Sequence, residues 1–117
     1  MVNVRRYQKL ANRISDDHGL MRPTVLELRA KTMERMAGGP TPGFCDTTGD
    51  TPVICLRPDA NDIVFFHEMA HFLGEKSEMG ADMKGFDLEV RYLGKPRPHE
   101  EVGEAFRRRP ARARRRQ

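Results

Sequence analysis

The chain has 117 residues, 38% of them apolar and 32% charged, with a mean hydropathy of −0.70. That length points to one compact domain, and no apolar run approaches the ~20 residues needed to cross a bilayer, so a membrane role is set aside. The net charge of +4 averages two unlike parts: Arg107, Arg108, Arg109, Arg112, Arg114, Arg115 and Arg116 crowd residues 107–116, and the remainder sums to −3 (+4 less 7). The first ten residues carry charge without an apolar stretch of signal-peptide length, so a cytoplasmic location is expected. Cys45 and Cys55 are the only cysteines. Neither sits in a C-x-x-C pair, so free thiols are expected, and a disulfide would require both to lie on paired strands.

Val4, Tyr7, Leu10, Ala11 and Ile14 recur at helical spacing and predict an amphipathic helix over 3–16. Between Pro23 and Gly38 two readings compete. Those residues would suit a helix start and stop, but Leu26, Leu28 and Ala30 alternate with Glu27 and Arg29, and the alternation predicts a strand over 24–30. The Gly38–Gly43 run, rich in Gly and Pro, is a turn. Phe44–Thr47 and Val53–Leu56 then read as a hairpin-like pair of short strands around Thr48-Gly49-Asp50. Asp59, Asn61 and Asp62 supply cap chemistry for an apolar helix that starts at Ile63 and runs to about Leu73, with Gly74 at its C′ position. A last helix is predicted from near Ser77 to Leu93, with Met79, Met83, Phe86, Val90 and Leu93 as its apolar stripe.

His67-Glu68-Met69-Ala70-His71 is an H-E-x-x-H sequence. Four residues of helix place both imidazoles on one face, within reach of a single zinc ion, while Glu68 stays beside them as a base for a zinc-bound water. A buried helix carrying these three ionisable groups without a metal would be costly.

With this motif the stretch from about 50 to 93 resembles the zincin metallopeptidases. The resemblance implies a zinc-dependent endopeptidase (a hydrolase) with Glu68 as general base and a protein or peptide as substrate. It also implies that Val53–Leu56 is the edge strand lining the cleft. The order of elements is distantly similar to that of small zinc peptidases that cleave phage-type repressors. The implied fold is a minimal α+β zincin-like domain over residues 1–103: an N-terminal helix, a small sheet of about three strands, the H-E-x-x-H helix and a C-terminal helix bearing a glutamate.

A third ligand is needed, and Ser77, Glu78, Asp82, Glu89 and His99 are the candidates. Glu78-Met79-Gly80-Ala81-Asp82 resembles the E-x-x-A-D stretch of glutamate-type zincins, which implies Glu78 as ligand and Asp82 as the support of a zinc histidine. His71 to Ser77 also resembles the metzincin pattern, with Ser77 where the last histidine would stand. Glu89 is the alternative third ligand: its spacing is nearer the usual gap, and Tyr92 lies one turn on, where a phenol would support an oxyanion. His18 and His99 read as surface residues.

Residues 104–117 have almost no apolar content and predict a disordered Arg-rich tail, able to meet nucleic acid non-specifically through its charge. Two other functions therefore stand beside the peptidase: an inactive zinc-binding zincin fold with a structural or regulatory role, and a small basic nucleic-acid-binding protein.

Overall fold

A computed structural model describes residues 2–94. The Arg-rich segment, His99 and the expected boundary at residue 103 lie outside them. The described residues form an α+β domain of four helices and a three-stranded mixed sheet.

Helix α1 spans Val4–Asp17, and its N-cap Asn3 accepts a hydrogen bond from the Arg6 amide. It buries Tyr7, Ala11 and Ile14, the stripe its spacing predicts. Strand β1 (Thr24–Glu27) follows, and here the sequence expectation needs correction. The strand does not run to Ala30; a helix, α2, spans Ala30–Ala37 and ends on Gly38 in the left-handed conformation. Both readings of that segment were half right, because Pro23 precedes a strand while Gly38 stops a helix. Tertiary burial decides it: Met33 is fully buried, whereas Leu26, counted as inward by alternation, is 41% exposed.

Strands β2 (Gly43–Asp46) and β3 (Val53–Leu56) pair antiparallel, as the hairpin reading expects. β3 also pairs parallel with β1, giving the order β1-β3-β2. Val53–Leu56 is therefore the central strand and not the edge; the edge next to it is β2. A central strand buried on both faces explains why Ile54, Cys55 and Leu56 are all buried. The register sets Cys45 opposite Ile54 and Phe44 opposite Cys55. Directly paired residues share a face and neighbours alternate, so the two thiols point to opposite faces and stay unlinked.

The outer edge of β1 is already occupied. The Gln8 amide on α1 donates to the Pro23 carbonyl (2.8 Å) and accepts from the Val25 amide (2.8 Å), mimicking a neighbouring strand.

Helix α3 (Asp62–Phe72) is capped by Asn61, whose side chain accepts from the Val64 amide. Its Phe65, Phe66 and Met69 join Ile54 and Leu56 in the core, so α3 lies on that face of the sheet. Helix α4 (Glu78–Leu93), capped by Ser77 and ended by left-handed Gly94, returns antiparallel along α3. The predicted apolar stripe of α4 is displaced. Met79 and Met83 are 42% and 60% exposed, and the inward residues are Ala81, Gly85, Leu88, Glu89 and Tyr92. Small residues replace large ones there because the inner face of α4 runs close to the α3 backbone.

Candidate metal centre

Helix α3 carries its polar groups where an ordinary surface helix would not. His67 is 2% and Glu68 6% exposed, and both sit amid an otherwise apolar helix. The first turn of α4 meets the H-E-x-x-H turn, and side chains from the two helices converge. His67 Nε2 lies 2.9 Å from Glu78 Oε2 and 3.1 Å from His71 Nε2, and His71 Nε2 lies 3.4 Å from Glu78 Oε1. Ligands held about 2.0–2.1 Å from one tetrahedral ion stand roughly 3.3 Å apart. The observed separations bracket that value.

The outer nitrogens of the two rings fix the tautomers. His71 Nδ1 is 2.6 Å from the backbone carbonyl of Glu75, an oxygen that only accepts, so Nδ1 carries the proton and donates it. His67 Nδ1 is 2.6 Å from Asp82 Oδ1 and donates to that carboxylate by the same logic. In the neutral rings both Nε2 atoms are then acceptors aimed at each other and at the Glu78 carboxylate. Three acceptors directed at one point repel unless a cation, or a proton, sits among them.

Titration of the cluster agrees. His71 has its pKa raised above 6.5, first by its bond to Glu78; burial opposes, while the Glu75 carbonyl and Glu68 add to the rise and His67 subtracts from it. Among the described residues, His67, His71 and Glu78 are the one group of histidine, cysteine and acidic side chains whose ligand atoms come within 4.8 Å of one another.

The loop explains how so short a gap closes. α3 ends at Phe72 with Leu73 as its C-cap, and Gly74 (φ +114°) takes a conformation that side-chain-bearing residues rarely adopt. The chain then folds back, with the Glu75 amide bonded to the Ala70 carbonyl (3.0 Å) and the Glu75 carbonyl beneath His71. This carbonyl is the support that motif reading missed, because a backbone oxygen has no residue signature. Gly74 is its only trace in the sequence.

The other candidates are elsewhere. Glu89 is buried on α4 eleven residues beyond Glu78, about 16 Å along the helix axis, and does not join the cluster. Ser77 caps α4, its hydroxyl accepting from the Gly80 amide. Tyr92 is no oxyanion donor at this site: its hydroxyl donates to Asp17 at 2.7 Å and ties α4 to α1. His18 closes α1 and is exposed.

Glu68 shares the buried side of α3, its stem against Gly43 of β2, and its charge reaches His71 and Cys45. The Cys45 thiol is pushed up to about 12, first by burial and then by Glu68, and it is not part of the cluster of His67, His71 and Glu78.

No family model matches this chain, nor does any curated protein or any solved structure.

Proposed function

We propose that this chain is a zinc-dependent endopeptidase of the zincin type, with His67, His71 and Glu78 as metal ligands and Glu68 as general base. The observation that carries the reading is the convergence of both Nε2 atoms and the Glu78 carboxylate on one point, with Asp82 and the Glu75 carbonyl engaging the opposite nitrogen of each ring. Two imidazoles and one carboxylate form a donor set suited to zinc, one short of four, as in catalytic sites that keep a position open. When bound, the ion supplies Lewis-acid chemistry, acidifying water and polarising a carbonyl.

The chain's own residues do the rest. Asp82 and the Glu75 carbonyl hold the rings in the tautomer that ligates. Glu68 receives a proton from the attacking water on its carboxylate and returns it to the departing amine. A peptide substrate is favoured by the sheet. Gln8 occupies the outer edge of β1, whereas β2 is the edge strand lying beside the Glu68 stem. An extended peptide added to β2 would pass next to the base.

The test is zinc content together with hydrolysis of casein by the wild type and Glu68→Gln. The wild type should carry one zinc per chain. Glu68→Gln should keep the zinc and lose at least about 100-fold in rate. Equal rates would overturn the mechanism, and a reconstituted wild type without zinc would overturn the site.

A further inference from the structure

Two glycines press on the H-E-x-x-H turn from opposite elements. On α4, a Cβ at Gly85 would stand 3.0 Å from the His67 amide nitrogen and 3.0 Å from both the carbon and the oxygen of the Phe66 carbonyl. Those are backbone atoms and cannot swing aside. On β2, a Cβ at Gly43 would stand 2.9 Å from Val64 Cγ1, 3.1 Å from the Cys55 carbonyl oxygen and 3.3 Å from Glu68 Cγ.

Glu78, Asp82 and Gly85 follow at spacings of four and three, so they share one face of α4. Gly85 is thus the point at which that face meets the backbone of His67, with the ligand and the supporting carboxylate on the same stripe.

We propose that Gly85 and Gly43 are positioning residues that gauge the H-E-x-x-H helix from its two sides, Gly85 setting the metal triangle and Gly43 setting Glu68. The proposal rests on the metal reading above. An ordinary contact begins at 3.4 Å, so a methyl at Gly85 drives α4 outward by about 0.4 Å. Metal–ligand distances tolerate only about 0.2 Å, so the displacement exceeds what the triangle absorbs. At Gly43 the nearest atom is a rotatable valine methyl, the Cys55 carbonyl oxygen at 3.1 Å is backbone of β3, and the third neighbour is the stem of the base. None of the three belongs to His67, His71 or Glu78, so the effect of a methyl there is directed at the carboxylate.

The experiment titrates zinc and cobalt into wild type, Gly85→Ala, Gly43→Ala and the double variant Gly43→Ala/Val64→Ala. Folding is followed by circular dichroism, and the pH midpoint of the cobalt spectrum is recorded. A wild type that binds neither metal defeats the underlying reading before any glycine is judged. Given wild-type binding, folded Gly85→Ala should bind zinc at least about tenfold more weakly.

Gly43→Ala should bind zinc within about threefold of wild type but show a cobalt midpoint shifted by about half a unit or more, because a nearby carboxylate tunes ionisation at the metal. Removing Val64 Cγ1 should recover part of the melting temperature lost in Gly43→Ala, the Cys55 carbonyl contact remaining, without restoring that midpoint. Wild-type affinity in Gly85→Ala overturns the role of Gly85, as does failure of that variant to fold, which would mark Gly85 as a general packing site. A midpoint unchanged in Gly43→Ala, or recovered together with stability, overturns the role of Gly43.

Discussion

Two carboxylate clusters hold α3, one at each end, and they differ in the balance of donors and acceptors. At the N-terminal end Asp62 accepts from Tyr7 Oη (2.6 Å), Arg6 NH1 (2.7 Å) and Arg6 NH2 (3.3 Å). At the other end Glu78 meets two imidazole nitrogens whose protons are committed to the far sides of their rings. The first cluster is a complete set of donors on acceptors and needs nothing further: it latches α1 to α3. The second is a set of acceptors aimed at each other, and a cation or a proton among them would complete it. Acidity or burial alone would not separate the two; the direction of the protons does.

The largest expected effect separates them by metal. Zinc at about a thousand times its Kd stabilises the fold by about 4 kcal/mol, which raises Tm by about 15 °C or more for a domain of this size. His67→Ala should abolish that rise, and calorimetry with and without zinc measures it. A variant that still responds would place the metal elsewhere.

Asp62→Asn should act in the complementary way. Losing charged hydrogen bonds costs about 1.5–3 kcal/mol, seen as a lower denaturation midpoint, while zinc affinity stays within about twofold. Loss of affinity as well would mean that the latch and the centre act as one unit and would break the comparison.

pH sharpens it further. The pKa of His71 is raised above 6.5, so its proton stabilises the metal-free fold fully below 6.5, and that contribution is lost as pH rises through the raised value. The Tyr7 pKa is also raised, well above the ordinary phenol value and clear of this range, first by burial and then by Asp62. Metal-free wild type should therefore lose stability as pH rises above 6.5 and through the raised pKa of His71, and His71→Gln should lose less. The Asp62 latch should contribute nothing to that slope.

The smallest effect concerns a third kind of polar site. Ser15 Oγ is buried with no hydrogen-bond partner. Ser15→Ala should leave stability unchanged or raise it by about 0.5 kcal/mol, measurable by urea titration; a large loss would reveal a missing bonded partner.

What could be read before folding followed from local rules. The spacing of Tyr7, Ala11 and Ile14 marked α1, the caps Asn61 and Ser77 and the glycines at 74 and 94 bounded α3 and α4, and H-E-x-x-H placed two imidazoles on one face. Glu78 and Asp82 stood out by their resemblance to the E-x-x-A-D stretch, and their four-residue spacing on a single helix makes the two roles compatible.

The failures all involve two elements at once. Alternation in Leu26, Leu28 and Ala30 could not show that Ala30 would start α2 and Met33 be buried within it, nor that β3 would take the centre of the sheet with β2 outside it. The stripe of α4 was misread because its inner face is set by how near α3 comes. Glu78 was preferred to Glu89 on its resemblance to E-x-x-A-D alone; the meeting of the first turn of α4 with the H-E-x-x-H turn is what brings Glu78, and not Glu89, beside the two imidazoles. Local geometry thus determined which residues share a face, since 3.6 residues per turn is a property of the chain. Only the tertiary structure decided which faces meet, because that depends on the depth of packing between elements far apart in sequence.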